Sequence, residues 1–296
     1  MNMSPVSILL SLANFRSQAL GSLTGSSAGA KDENSWSSIF QGIASDSASA
    51  APLAVPTKAG EVQGLSSTGR NLGLFDPESA YKMMSVINNN DVSYKAQFSE
   101  LSEMKSYVSQ MQDAGQGLGS ISESTSDEDI TSQLQNFVGQ YNDWVQRFNP
   151  DMQTGGAMAD AQAAQISRYE LDQSIKNPFN GARDGVHGLA GLGIVIDPST
   201  KLASLDTSRL NSLLATNRKG AVDTVQEFSA NFAKSAGLLN SAGNFIPNRL
   251  NNLDKVIHYF ADHKSALQQE FGTGDAAKPS GLIAQALAAY KQNYGL

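Results

Sequence analysis

The chain contains no cysteine, and only three histidines are present among its 296 residues. The missing cysteines exclude a structural disulfide and a thiolate metal site. His258 and His263 are five positions apart on a predicted helix, whereas a metal-binding pair on one helical face needs a spacing of about four. The remaining histidine, His187, is far away in sequence. We therefore expect no metal ion and no cofactor.

Charged residues and long apolar runs are also scarce. Charged side chains make up 17% of the sequence, and the formal net charge is −7. A nucleic-acid partner would require a basic surface, and no block of Lys or Arg provides one. No apolar run approaches the roughly 20 residues that a membrane-spanning helix needs. These absences predict neither nucleic-acid binding nor membrane insertion.

Catalytic motifs are missing too. The sequence has no G-x-S-x-G, no H-E-x-x-H and no G-x-x-x-x-G-K-[ST]. The glycines Gly188, Gly191 and Gly193 resemble a phosphate-binding loop in number, but they precede a predicted strand, whereas a dinucleotide-binding loop follows one. We interpret them as turn glycines and expect that the protein is not an enzyme.

The first 70 residues differ in composition from the rest. A short apolar patch near the start has no basic region before it, which favours a short amphipathic helix over a cleaved secretory signal. Export without a cleaved signal stays open. Residues 21–70 are dominated by Ser, Ala, Gly, Thr and Pro, which predicts a largely disordered arm. Trp36, Ile39 and Phe40 interrupt this composition and favour a short helix that docks on the body or on a partner.

The remaining sequence predicts a mainly α fold, an elongated helical bundle with one small β-hairpin. We expect a helical core over residues 71–272 and a C-terminal amphipathic helix over residues 273–296. Asp76 and Pro77 are typical of a helix start, and the run Asn88 to Asn90 is predicted to break the region 76–113 into two helices. Gly115, Gly117 and Gly119 end it.

Helical spacing continues along this region and the next. From Tyr94 the apolar residues recur every three or four positions, so they face either the core or a coiled-coil-like seam between subunits. A second helix begins near Thr125 to Asp129, capped by Thr125 with Glu128 or by Ser126 with Asp129. It ends at Asn149–Pro150, and a third helix is predicted over residues 157–176.

A short hairpin follows. Ile194 to Ile196 form a predicted strand, residues 197–200 a turn and residues 202–205 the return strand. Asp206 is predicted to cap a helix that carries Leu210, and a second helix with Phe228 comes after it. Further helices are predicted over residues 248–271 and, beyond Gly272 to Gly274, at the C-terminus.

Four segments resemble, in sequence order, the bacterial flagellar filament-capping protein, the hook-associated protein 2 family. FVGQYNDWV, residues 137–145, is similar to that family's FV-x-x-YN helix. LGIVIDPSTKLASLD, residues 192–206, is similar to its LGI-x-x-D hairpin, and residues 209–228 to the helix pair after it. Residues 93–118 resemble its N-terminal helix more weakly. Leu118 passes to Ile130 through a short link, so the chain resembles a reduced member that lacks the family's large inserted β domains.

The resemblance implies a structural function. The expected protein is secreted without a cleaved signal peptide, forms a homo-oligomer at the filament tip and assists flagellin assembly. Expected partners are flagellin, hook-associated proteins and an export chaperone. The alternative is a secreted non-flagellar binding module or adhesin, with Trp36, Tyr290 and Tyr294 as its contacts. The expected structural or assembly residues are Tyr94, Phe98, Leu101, Val108, Phe137, Tyr141, Leu192, Ile194, Ile196, Leu205, Asp206, Leu210 and Phe228.

Overall fold

A computed structural model describes residues 64–295 of the chain. These residues are mainly helical and contain one two-stranded hairpin, which confirms the predicted fold class. Most of the predicted N-terminal arm, including Trp36, lies outside the described residues. The elements, in chain order, are α1 (Pro77–Gly117), α2 (Asp127–Phe148), α3 (Gln162–Lys176), the single turn α4 (Gly188–Gly191), β1 (Ile194–Ile196), β2 (Ala203–Leu205), α5 (Thr207–Asn240), α6 (Phe245–Phe271) and α7 (Gly281–Tyr294).

The described residues divide into two compact units. The smaller unit contains residues 64–86 and 258–275, and the larger contains residues 87–257 and 276–295. In the smaller unit, hydrogen bonds join the two segments, since the Asn71 side chain donates to Gln269 O at 2.9 Å and Thr273 N donates to Gly69 O at 2.8 Å. Its buried apolar side chains are Met83, Met84, Leu267 and Phe271.

The larger unit has one continuous hydrophobic core. At its centre the ring of Phe137 meets Phe228 at 5.2 Å and Phe232 at 5.0 Å, both edge to face. Edge-to-face rings at this separation add to the stability that burial alone provides. The apolar stripe of α1 joins the same core, because Leu101, Met104 and Val108 are fully buried within the chain. These three side chains of the stripe therefore belong to the core of the larger unit.

The predicted break at Asn88 to Asn90 is wrong, since α1 is a continuous helix from Pro77 to Gly117. Asparagine costs less than 1 kcal/mol relative to alanine at a helical position. Helices in proteins owe most of their stability to tertiary packing, and buried residues lie on both sides of the run, with Met84 before it and Ala96 after it. Packing therefore outweighs the local propensity.

The third helix begins later than predicted, at Gln162 instead of residue 157. Residues 150–160 instead form a sequence of turns. Gly155 has a φ of 89°, which is incompatible with a right-handed helix. Met158 N donates to Asp151 O at 2.9 Å, and this bond closes the turns. The segment folds back on itself and places Met158 in the core.

Several local signals agree with the structure. Ser126 caps α2, because its side chain accepts a hydrogen bond from Asp129 N at 3.1 Å, which selects the second of the two predicted caps. The same helix ends at Phe148, just before Asn149–Pro150, as predicted. The two helices expected after the hairpin form the single element α5, with a kink at Asn217. There the Asn217 side chain accepts from Gly220 N at 3.0 Å and so caps the second half.

Candidate functional site

The hairpin and the helices around it form the candidate site, because the resemblance is most specific there. Strands β1 and β2 pair antiparallel, with Val195 opposite Ser204. In the connecting turn, the Asp197 carboxylate accepts hydrogen bonds from Ser199 N at 2.8 Å and Thr200 N at 2.7 Å. These donors lower the pKa of Asp197, with Thr200 N first among the causes. The turn is thus built around one carboxylate.

Helix α2 is attached to the hairpin by a side-chain amide. Asn142 Nδ2 donates to Ala203 O at 2.9 Å, and Ala203 N donates to Asn142 Oδ1 at 2.7 Å. Both backbone groups of Ala203 point away from β1, so Asn142 pairs the outer edge of β2 at this residue. One side chain therefore fixes the position of the hairpin against α2.

The end of the hairpin leads directly into α5. Asp206 N donates to Gly193 O at 2.9 Å, and the Asp206 carboxylate accepts from Arg209 N at 3.0 Å. Asp206 is thereby both the last pairing residue of the hairpin and the cap of α5, as predicted. Leu210, one turn into the helix, is fully buried. The connection leaves no free linker between hairpin and helix.

A second contact joins α2 to α3. Tyr141 is 2% exposed, and its hydroxyl donates to an Asp172 oxygen at 3.3 Å. Burial, followed by the negative charge of Asp172, raises the pKa of the Tyr141 phenol. The phenol is therefore neutral at physiological pH and serves as a hydrogen-bond donor.

Most of the residues predicted from sequence lie together in or against the core of the larger unit. Eight of them are buried in the core of the larger unit, namely Leu101, Val108, Phe137, Tyr141, Leu192, Ile194, Leu210 and Phe228. Four others, Tyr94, Phe98, Ile196 and Leu205, pack against that core while partly buried, and Asp206 is exposed. Because most of them are buried, these residues shape the surface and do not themselves form it.

The surface beside the hairpin carries a groove of 590 Å³. Val186, Val195 and Leu213 provide apolar walls, and Arg209 and Ser212 provide polar ones. Val195, at the middle of β1, is 50% exposed, and Phe179 elsewhere on the larger unit is 76% exposed. Single exposed apolar side chains are common on protein surfaces; Val195 is distinguished from Phe179 because it also lines this groove.

Of the two tyrosines expected as contacts at the C-terminus, one is buried and one is exposed. Tyr290 is only 4% exposed, and its ring packs edge to face on Phe98 at 5.9 Å. Tyr294 is 45% exposed and also meets Phe98, at 5.2 Å. The expectation that both rings are exposed is wrong for Tyr290, because the apolar face of α7 is covered by α1.

Sequence reasoning missed one polar cluster. The Arg147 guanidinium bonds three carboxylates, those of Glu100, Glu103 and Asp151. Spacings of three between the glutamates and four between Arg147 and Asp151 are the available signals. Neither spacing indicates that two helices meet at this point, so the sequence alone could not have identified the cluster.

Over residues 64–295, no group of three or more His, Cys, Asp and Glu side chains is arranged to hold a metal ion. His263 instead stacks on Tyr259 at 4.3 Å within the smaller unit, and its Nδ1 lies 3.0 Å from Tyr259 O. Among the helices of the same described range, none combines the length and hydropathy of a membrane span.

Comparisons with known proteins give no match. No protein-family model, curated protein or solved structure matches this chain.

Proposed function

We propose that this chain is an exported structural protein of the bacterial flagellum, similar to the filament cap. In this proposal it forms a homo-oligomer at the filament tip and assists the assembly of flagellin. Its other partners are hook-associated proteins and an export chaperone. The proposal rests on the resemblance of four segments and on how two of them contact each other.

The hydrogen-bonded pair of Asn142 and Ala203 carries the proposal. Asn142 belongs to the FV-x-x-YN segment and Ala203 to the hairpin segment, and they are 61 positions apart. Two segments that were matched independently therefore form one unit. Phe137 of the first segment also meets Phe228, at the end of the third. Contacts among all three segments support reading the resemblance as a shared scaffold.

The exposed side of this scaffold supports an assembly function. Val195 lies on the hairpin and is half exposed, and it lines the groove beside α5. Burying an exposed valine against a neighbouring subunit gains about 1 kcal/mol. We therefore assign Val195 to the contact with flagellin or with a second copy.

A deletion strain tests the proposal. Loss of this chain should give short or absent filaments, reduced motility and unpolymerised flagellin in the medium. Complementation with the wild-type chain should restore filaments, and Val195→Asp should not. The matched control is Gln146→Asp, which adds the same charge at an exposed position of α2 and should restore filaments fully. Circular dichroism must show that both variants are folded.

Normal filaments without excess flagellin in the deletion strain would contradict the proposal. Normal motility together with a binding partner outside the flagellum would support the alternative, a secreted binding module or adhesin. Of the three aromatic contacts expected for that alternative, Tyr294 is exposed, Tyr290 is buried and Trp36 lies outside the described residues.

A further inference from the structure

The Arg147 cluster joins α1 to α2 and to the turns that follow α2. Arg147 Nε and Nη2 donate to the two oxygens of Glu103 at 3.0 and 2.6 Å. Nη2 also donates to Glu100 at 2.8 Å, and Nη1 donates to Asp151 at 2.9 Å. One guanidinium is therefore shared by three carboxylates, and the cluster has more negative than positive charge.

The excess charge lies on the buried side of the cluster. The side chains of Glu103 and Arg147 are 41% and 31% exposed, whereas those of Glu100 and Asp151 are 6% and 3% exposed. Asp151 Oδ1 is buried and has no hydrogen-bond partner. A buried carboxylate without full compensation favours its neutral form. The arrangement thus favours a bound proton on this side.

Glu100 is the residue that takes this proton. Burial, followed by the charge of Asp151, raises the pKa of Glu100 to about 7, against the opposing effect of Arg147. Glu103, on the same helix, adds a smaller repulsion. From α6, Arg249 reaches Gln97, one turn before Glu100, and donates to its side-chain oxygen at 2.7 Å. The charges that act on the Glu100 carboxyl are those of Asp151, Arg147 and Glu103, whereas Arg249 bonds the neighbouring Gln97.

Asp151, which contacts the same guanidinium as Glu100, is also part of the segment 149–161 and helps to hold it in place. Its backbone oxygen accepts the bond from Met158 N, and Gly156 packs so closely that a Cβ there would overlap the Asp151 backbone. Met152 and Met158 of the same segment are buried in the core. Any repulsion that moves Asp151 must therefore disturb the segment.

We propose that Glu100, Asp151 and Arg147 form a proton-dependent latch, which holds the segment 149–161 firmly when Glu100 is protonated and loosens it when Glu100 is ionised. This regulatory device is independent of the flagellar proposal. It would allow a change of pH, such as that between two compartments, to alter the packing of one segment of the fold.

The sign of the pH dependence follows from the raised pKa. The unfolded chain loses the Glu100 proton near 4.5, and the folded chain near 7. Between these values the folded state binds more protons, so stability falls as pH rises, and it falls no further above about 7. The unfolding constant should increase by at most about tenfold per pH unit in this window.

Glu100→Gln tests the latch, because glutamine imitates the protonated carboxyl. The ratio of the wild-type unfolding constant to that of Glu100→Gln should increase with pH between 4.5 and 7 and then level off. Groups common to both proteins cancel in this ratio. Hydrogen exchange at Met158 N, corrected for its intrinsic rate, should accelerate at pH 8 relative to pH 6 in the wild type only, on the order of tenfold.

Two further variants complete the design. Glu103→Gln removes a more exposed ligand of the same guanidinium and should keep the pH dependence. Asp151→Asn removes the second cause, after burial, of the raised pKa of Glu100, and it should move the fall in stability to lower pH. Parallel profiles for wild type and Glu100→Gln would overturn the latch, as would a Glu100→Gln protein that does not fold. Unchanged protection at Met158 N while global stability varies would also overturn it.

Discussion

Gly181 lies directly against Thr224, so that a Cβ on Gly181 would overlap the Thr224 hydroxyl. The glycine has a φ of 73°, and its N–H donates to the Glu227 carboxylate at 2.7 Å. Four residues later, Gly185 has a similar φ of 80°, but a Cβ there would meet nothing within 4 Å. The two positions share a left-handed backbone conformation and differ in crowding.

This pair predicts two different losses of stability. Gly185→Ala should lower the free energy of unfolding by about 1 kcal/mol, the cost of a left-handed alanine. Gly181→Ala should lower it by about 3 kcal/mol, because overpacking against Thr224 and the Val186 carbonyl is added. Urea denaturation of both variants measures the difference. If the two variants lose the same stability, the close contact between Gly181 and Thr224 is contradicted.

The bond between Asn142 and Ala203 gives a second prediction. Asn142→Ala leaves the N–H and C=O of Ala203 without their partners in a partly buried location. Each unsatisfied group costs about 1–3 kcal/mol, less where water can reach it, so we expect a total loss of about 2–3 kcal/mol. Gln146→Ala on the exposed side of α2 is the control and should change stability by less than about 0.5 kcal/mol. A loss no larger than the control's would show that the amide does not hold the hairpin.

Lys201 gives a third prediction. It is the single non-glycine residue with a positive φ, 62°, among residues 64–295. Lys201→Gly should raise the free energy of unfolding by about 0.5–1 kcal/mol, because glycine adopts this conformation without a Cβ penalty. Lys201→Ala removes the same side chain and keeps the strain, so it should not stabilise. If thermal unfolding shows that Lys201→Ala is as stable as Lys201→Gly, the strain argument is refuted.

Local sequence signals predicted the parts of the fold that depend on neighbouring residues. Ser126 and Asp206 cap helices because each needs only a backbone N–H three positions away. Ile194 to Ile196 form a strand because a short apolar run bounded by turn residues has few alternatives. The hairpin and the starts of these two helices could therefore be derived from the sequence.

The features that sequence reasoning missed are long-range. Asn142 contacts Ala203 from 61 positions away, and Glu100 contacts Arg147 from 47 positions away. Their spacings in sequence contain no information about that proximity. The continuous helix through Asn88 to Asn90 was missed for the related reason that core packing outweighs weak local propensity. Candidate residues such as Phe137 were found because apolar periodicity reports burial.

The Asp197 turn supplies the last prediction. Three donors stabilise the ionised Asp197 carboxylate and lower its pKa below the ordinary 3.8. They are, in order of effect, the backbone N–H of Thr200, the backbone N–H of Ser199 and the Thr200 hydroxyl at 3.1 Å. The turn is therefore stabilised at pH values above the ordinary pKa, and this contribution is lost as pH falls through the lowered pKa. Carboxyl carbon chemical shifts followed by NMR should give an Asp197 midpoint below 3.8.

Thr200→Val removes the hydroxyl donor and leaves both backbone donors in place, so the Asp197 midpoint should move upward but stay below the ordinary value. Thr200→Ser keeps a hydroxyl and should leave the midpoint nearly unchanged. A midpoint in Thr200→Val equal to that of the wild type would mean that the backbone donors alone hold the carboxylate. An ordinary midpoint in the wild type would contradict the turn geometry itself, because three donors on one oxygen must favour its charged form.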